Sequence, residues 1–105
     1  MTDQLTTSSV VQQNTNLLAQ NIDGDVIVLH LETNEYYGLQ SVAHRIWELI
    51  EQPTVIAAVV DAITEEYNAN RSTVENDTLE FLQHLLGKDL IALSSGTGAS
   101  SSDAS

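Results

Sequence analysis

The chain has 105 residues, which suffices for one domain of ordinary size but not for two. Its 15 acidic and three basic residues give a formal net charge of −12. Proteins that bind nucleic acids or anionic membranes depend on Lys and Arg contacts to phosphate, so this charge argues against both classes of partner. The expected partner is another protein, or a peptide that is neutral or basic.

The sequence has no cysteine, which removes disulfides, thiolate metal sites and thiol nucleophiles. No run of apolar residues is long enough to span a membrane as a helix. The first residues, MTDQLTTSSVVQQN, lack the basic and apolar regions of a secretory signal. We therefore expect a cytoplasmic protein.

The two ends differ in composition from the middle. Residues 94–105, SSGTGASSSDAS, offer almost nothing to bury and predict a disordered tail rich in Ser and Gly. Residues 1–9 are predicted to be a disordered N-terminus. One ordered domain, residues 10–93, lies between them.

The first half of this domain predicts an antiparallel meander of three strands. The runs LLAQNI and DVIVLHL flank Asp23-Gly24, a pair typical of a two-residue hairpin turn. The second run is apolar on both faces, which indicates a central or covered strand. A third strand, EYYGL, follows the turn ETNE, in which Asn34 tolerates a positive φ. Strand alternation sends Tyr36 and Tyr37 to opposite faces, and the sequence leaves open which of them faces a partner.

The second half predicts three amphipathic helices. Apolar residues at helical spacing mark the first over Ser41–Ile50 and the second over Ile56–Tyr67, with Pro53 between them. The motif STVE predicts Ser72 as the N-cap of the third helix, and Gly87 is suited to be its C-cap. Three strands followed by three helices predict an α+β fold of the winged helix-turn-helix-like type.

The third helix has a wide apolar side. Two neighbouring clusters cover an arc of roughly 160°, more than the roughly 100° that one packed face needs. Two interpretations stay open: both clusters are buried in the core, or one of them is partly exposed. The clusters are Leu79, Leu82 and Leu86 in the first, and Val74, Thr78, Phe81 and Leu85 in the second.

Side chains arranged for catalysis are not evident in the sequence. His30, His44 and His84 are far apart and show no ligand-like spacing, so no metal site is expected. The sequence contains neither a glycine-rich phosphate loop nor a serine in a nucleophile elbow. We therefore expect a protein that is not an enzyme and that uses no cofactor.

The order of several motifs resembles the PqqD family. The runs that carry the resemblance are VIVLHLETNEYYGLQSVAHRIWELIE, VVDAITEEYN and VENDTLEFLQHLLGKDLI, within residues 21–93. Members typically combine an aliphatic strand, a turn and strand with paired tyrosines, a helix containing Ile-Trp, and two further helices. The chain departs from this pattern at Gln40, where the family usually has Asn, at Thr78, and in the position of the glycine in GKDLI.

The resemblance implies a non-catalytic module that recognises ribosomally made precursor peptides. Such a domain binds the leader segment of the precursor as an added strand at the edge of its third strand, against its third helix. The strand EYYGL is then the edge, and the apolar side of the third helix is the pocket. Carried over to this sequence, the expected peptide contacts are Glu35, Tyr36, Tyr37, Gly38, Leu39, Val74, Asp77, Thr78, Phe81 and Leu85.

The partner of such a module stays open at this point. The paired tyrosines and the ETN turn look most like the stand-alone proteins of lasso-peptide biosynthesis, which deliver the precursor to a separate leader peptidase. Members that serve a radical SAM enzyme, as in the maturation of pyrroloquinoline quinone, are the main alternative, and a generic protein-interaction subunit is another. Either a monomer or a weak dimer is expected, since an exposed edge strand can pair with itself.

A transcription regulator of winged-helix shape is a function of a different class. Glu75, Asp77 and Glu80 on the third helix would repel phosphate, which disfavours it. Asp77 itself has two interpretations: it pairs with a basic residue of the leader, or it is an acid favoured by the helix dipole in the first turn.

Overall fold

Within residues 5–94, which the structure, a computed structural model, describes, the chain forms six strands and three helices. Each predicted strand and helix is present, so the predicted α+β fold is confirmed. None of the helices in this range is long and apolar enough to cross a membrane. In chain order the elements are β1 (Val10–Gln13), β2 (Leu17–Ile22), β3 (Asp25–His30), β4 (Tyr36–Leu39), α1 (Val42–Leu49), β5 (Thr54–Val55), α2 (Ile56–Tyr67), α3 (Arg71–Gly87) and β6 (Ile91–Leu93).

The hairpin turn predicted at Asp23-Gly24 is confirmed. Asp23 has a φ of 49° and Gly24 a φ of 86°, the positive values that a type I′ turn requires, and β2 and β3 pair antiparallel beyond it. On its other side, β3 pairs antiparallel with β4. We call this sheet, formed by β2, β3 and β4, the meander. Its central strand is β3, whose residues Val26 and Val28 are buried.

A second sheet, with the strand order β5-β1-β6, is not predicted by the sequence. Its central strand, β1, pairs antiparallel with both neighbours, so that Val11 faces Thr54 on one side and Leu93 on the other. The three strands have four, two and three residues. Runs this short do not show a recognisable alternation of apolar and polar residues. Val11 is fully buried, so the sheet still contributes to the core.

The N-terminal segment differs in part from the predicted disorder of residues 1–9. Leu5 is buried beside α3, and its N–H donates a hydrogen bond to the Gln83 side chain at 3.0 Å. The Ser9 N–H donates to the Thr6 carbonyl at 3.0 Å, which makes a turn. One apolar side chain thus anchors a segment that is otherwise polar. Residues 1–4, and residues 95–105 of the predicted tail, lie outside the described residues.

The helix α3 begins before the predicted position. Its N-cap is Asn70, whose side-chain oxygen accepts a hydrogen bond from the Thr73 N–H at 3.1 Å. Ser72 lies inside the helix, so the prediction of Ser72 as N-cap is wrong. Asn is as favourable an N-cap as Ser, and the chain is already turned at Asn68, where φ is 49° and α2 ends.

The other end of α3 is close to the prediction. The helix ends at Gly87, but its C-cap is Lys88, and the residue with a positive φ is Asp89, at 63°. The N–H groups of Asp89 and Leu90 donate to carbonyls one and two residues before Gly87, at 3.1 and 3.0 Å. These paired bonds form a Schellman motif, which turns the chain from α3 toward β6.

A buried histidine joins the meander to this turn. His30 is 1% exposed, and its Nε2 lies 3.1 Å from the Asp89 carboxylate. Its Nδ1 accepts hydrogen bonds from the backbone N–H groups of Glu32 and Thr33, at 3.2 and 3.3 Å. Because Nδ1 accepts, the ring proton lies on Nε2 and is donated to Asp89. The Asn14 side chain also donates to Asp89, so this residue connects β3, the segment after β1, and the end of α3.

The wide apolar side of α3 is divided differently from either sequence interpretation. Its buried residues come from both predicted clusters: Val74, Thr78, Leu82 and Leu85. Phe81 on one flank, and Leu79 and Leu86 on the other, are only partly buried against the core. The core therefore runs along the middle of the arc, and each flank keeps an apolar border.

An ion pair joins α1 to α2. The Arg45 guanidinium donates two hydrogen bonds to the Glu66 carboxylate, at 2.9 and 2.8 Å. This bidentate contact raises the pKa of Arg45 and lowers the pKa of Glu66. Both side chains are more than a third exposed, so solvent screens much of the attraction.

Replacing Asn70 tests where α3 begins. We expect Asn70→Ala to lower the free energy of unfolding by about 0.5–2 kcal/mol, because the Thr73 N–H loses its acceptor. The control Ser72→Ala, at an exposed position inside the helix, should lower it by less than about 0.5 kcal/mol. Urea denaturation followed by circular dichroism measures both values. A larger loss in Ser72→Ala than in Asn70→Ala would restore the predicted capping box.

The Arg45–Glu66 pair predicts a stability difference that depends on pH. The pKa of Glu66 in the folded protein lies below its ordinary value of 4.5, so the pair stabilises the fold above that pH and loses its effect as the pH falls through the lowered pKa. We expect Glu66→Gln to have a lower melting temperature than the wild type at neutral pH, and the difference to shrink in acid. The control is Glu65→Gln, which removes the same charge from the same helix. Equal shifts for both variants at neutral pH would contradict a specific role of the pair.

Candidate functional site

Among the described residues, the strand β4 is hydrogen-bonded to another strand on one side only. Within residues 5–94 it pairs with β3 and with no other strand. The His30 N–H donates to the Glu35 carbonyl at 2.9 Å. In an antiparallel ladder only every second pair of facing residues exchanges backbone hydrogen bonds. Tyr37 is two residues after Glu35, so its backbone N–H and C=O groups also point toward β3. Those of Tyr36 and Gly38 point away from β3, and their two N–H and two C=O groups form what we call the free edge.

The two faces of β4 carry different tyrosines. Tyr37 lies on the same face as the buried Leu39 and packs partly against the core. Its hydroxyl donates to the Glu35 carboxylate at 2.6 Å, and this hydrogen bond raises the pKa of Tyr37. Tyr36 is 71% exposed and lies on the opposite face. We call the face of the meander with Tyr37 the inner face and the one with Tyr36 the outer face.

An apolar pocket of about 350 Å³ lies where the three helices meet, and we call it the helix pocket. The start of α1, the second half of α2 and one flank of α3 form its walls. Asp77 is the one charged residue among those that line it. The lining residues are Val42, Ala43, Ile46, Ile63, Tyr67, Ala69, Thr73, Val74, Asp77, Thr78 and Phe81.

The helix pocket lies close to the end of β4. Two residues, Gln40 and Ser41, separate Leu39 from Val42, which lines the pocket. Three residues of chain span at most about 11 Å, so a short extended peptide can contact both the free edge and the pocket. The connection is fixed by the positive φ of Ser41, 54°, and by a hydrogen bond from the Gln40 amide to the Asp25 carboxylate at 3.2 Å.

Most of the contacts predicted on α3 line the helix pocket, namely Val74, Asp77, Thr78 and Phe81. The fifth, Leu85, is 2% exposed and lies in the core, as does Leu39 of the predicted strand contacts, at 6%. Tyr36, Tyr37 and Gly38 lie on β4, directly after Glu35. The structure therefore brings the two groups of predicted residues to neighbouring places, and their roles in binding stay predictions.

The walls of the helix pocket on α1 and α2 are not among the predicted contacts. They include Val42, Ile46, Ile63 and Tyr67. Helical spacing places these residues on the apolar stripes of their helices, and such stripes predict core residues. Ile46 and Ile63 are indeed buried, whereas Tyr67 is 46% exposed at the end of α2. Periodicity alone does not separate a side chain that lines a pocket from one that fills the core.

Two other places in the described part of the chain carry polar clusters. His30, Glu32 and Asp89 bring possible metal-ligating atoms within 4.8 Å of one another, but both ring nitrogens of His30 already have hydrogen-bond partners in the protein. The prediction of no metal site stays untested.

A hollow of about 640 Å³ on the other side of α3 is larger than the helix pocket. Four of its six lining residues are polar: Asn76, Glu80, Gln83 and His84. Because binding sites are lined mostly by apolar side chains, we place the candidate site at the free edge and the helix pocket.

Comparison with known proteins identifies the family of the chain. The family of coenzyme PQQ synthesis protein D (PqqD) matches residues 25–91, which include β4 and all three described helices. A solved structure of TbiB1 in complex with the TbiA(beta) leader peptide is similar to this chain. The sequences are 38% identical, the TM-score is 0.72, and the match covers 86% of this chain and 99% of that chain. No curated protein sequence matches the chain. With most of its length matched by the family, the chain belongs to the PqqD family.

Proposed function

We propose that this protein binds the leader segment of a ribosomally synthesised precursor peptide, in the manner of lasso-peptide biosynthesis. The observation that carries the proposal is the free edge of β4 beside the apolar helix pocket. TbiB1, which has been solved with a leader peptide, supports it, because nearly all of that chain is matched by this one.

The free edge binds the peptide backbone in this proposal. A leader segment that adds as a fourth strand of the meander bonds to the N–H and C=O groups of Tyr36 and Gly38. Main-chain hydrogen bonds of this kind give affinity that depends little on the sequence of the peptide. The edge is only four residues long, so it fixes a short stretch of the leader.

The inner face and the helix pocket select the side chains of the leader. Alternate residues of an added strand project to the same face as Tyr37, and from there toward the pocket. An apolar side chain of the leader is favoured inside the helix pocket, because most of the residues that line the pocket are apolar. Asp77 at the wall, on a chain with a net charge of −12, favours a basic residue next to that side chain.

The bound precursor is delivered to a separate modifying enzyme, a leader peptidase. The protein itself takes no part in the chemistry in this proposal. A peptide carrier for a radical SAM enzyme remains the alternative and uses the same site. The genes beside the one for this chain distinguish the two, since a short precursor gene should be accompanied by either a peptidase or a radical SAM enzyme.

Truncation of Phe81 tests the helix pocket. We expect Phe81→Ala to weaken binding of the labelled leader peptide by about 1–3 kcal/mol, because an aromatic ring of the pocket wall is lost. The control is Leu79→Ala, which shortens a partly buried side chain on the other flank of α3 and should change the affinity by less than about 0.5 kcal/mol. Fluorescence anisotropy measures both dissociation constants. An unchanged affinity in folded Phe81→Ala would remove the pocket from the site.

Substitution of Gly38 tests the free edge. Gly38→Pro removes an N–H that bonds to the leader but not to β3, and edge strands tolerate proline where the N–H faces solvent. Gly38→Ala keeps the N–H, and its added Cβ lies 3.7 Å from Ile27 Cδ1, an ordinary contact. We expect the proline variant to bind the leader about tenfold more weakly, and the alanine variant to bind it as the wild type does. Circular dichroism confirms that both fold, and equal binding by both would contradict strand addition.

A further inference from the structure

The outer face of the meander exposes a row of apolar side chains. In the register of the sheet, Leu18 faces Leu29 across β2 and β3, and Leu29 faces Tyr36 across β3 and β4. Facing residues of an antiparallel sheet lie on the same face, so these three form one row. Leu18 is 60% exposed and Tyr36 is 71% exposed.

Neighbouring positions extend this row into a patch. Ile22 follows Leu18 at the period of two along β2, and Leu31 follows Leu29 directly after β3, so both lie on the outer face. The described residues include seven large hydrophobic side chains that are exposed, and four of them lie here: Leu18, Ile22, Leu31 and Tyr36. Large apolar side chains exposed together on one face of a small protein favour a role of that face in binding a partner.

The charges around the patch define the partner that fits it. Residues 16–40, which form the whole meander, contain four acidic residues and neither Lys nor Arg. Asp25 faces Ile22 and lies on the outer face itself. Arg45 and Arg71, by contrast, are on the helices and are paired with acids there. A complementary surface therefore has an apolar centre flanked by basic residues, whereas a second copy of this chain would bring two charges of −12 together.

We propose that the outer face docks the modifying enzyme that receives the leader, through an apolar patch on that enzyme flanked by Lys and Arg. This inference rests on the proposed function, since it takes a leader-bound form of the protein as the species that docks.

The strand β4 connects the patch to the proposed leader site. A leader strand on the free edge widens the meander by one strand, and its residues opposite Tyr36 and Gly38 project to the outer face. The docked enzyme then contacts the patch and the leader together. The enzyme therefore binds the leader-bound protein more tightly than the free protein. As a result it acts on precursor that the protein has already bound.

The test uses the purified enzyme encoded beside the gene for this chain, titrated against the full-length protein with and without saturating leader peptide. We expect Leu18→Glu to weaken enzyme binding about tenfold or more, because it places a carboxylate in the centre of the patch. The control Leu93→Glu adds the same charge at an apolar residue of similar exposure, 48%, on the other sheet, and should bind the enzyme as the wild type does. Ile22→Glu, on the same outer face, repeats the test in case Leu18→Glu does not fold.

Leader affinity is measured for every variant and separates the two proposals. Wild-type protein that binds no leader refutes the proposed function, and the inference falls with it. Normal leader binding together with enzyme binding that is unchanged in folded Leu18→Glu and Ile22→Glu overturns the inference alone. Enzyme binding that is absent in the wild type overturns the inference together with the proposed delivery to that enzyme, while leader binding stands. Sedimentation showing a wild-type dimer that Leu18→Glu dissociates also overturns it, because a second copy then covers the patch. Loss of enzyme binding with leader binding retained supports it.

Discussion

The register between β3 and β4 is the constraint on which the rest of the site depends. It decides that the backbone groups of Tyr36 and Gly38, rather than those of Tyr37, have no partner strand within the described residues 5–94. It also decides which tyrosine lies on the inner face, and a slip of one residue would reverse both outcomes. The pairing begins at His30, whose ring is buried and hydrogen-bonded at both nitrogens. The buried and hydrogen-bonded His30 thus helps to position the free edge of β4.

An unpaired edge is a hazard as well as a binding site, because it can pair with the edge of another copy. Two properties of the chain oppose this. The edge strand β4 has only four residues, which limits the number of hydrogen bonds that self-pairing gains. The net charge of −12, with four acids and no Lys or Arg in the meander, adds repulsion between copies. The same charge leaves a neutral or basic peptide free to approach, so electrostatics selects among the strands that the edge can accept.

The sequence predicts the parts of this fold that local chemistry determines. Asp23-Gly24 fixes the hairpin, the apolar run of β3 identifies a central strand, and the ordered motifs identify the family. What it misses depends on contacts between distant residues. The pairing of Val11 with Leu93 builds a sheet from strands too short to have a pattern, and the choice of Asn70 over Ser72 as N-cap depends on where α2 ends. The helix pocket needs walls from three helices, and periodicity does not distinguish such walls from core.

Strand alternation connects the two surfaces of this small protein. Successive residues of β4 point to opposite faces, so a strand added to it presents half of its side chains to the inner face and half to the outer face. In the proposed complex the first half meets the helix pocket, whose lining is largely apolar, and this gives selectivity. The second half joins an apolar patch that is already exposed on the meander. A small protein can in this way couple capture of a peptide to recognition by a second protein. The coupling needs no conformational change, because the peptide itself supplies the missing part of the second surface.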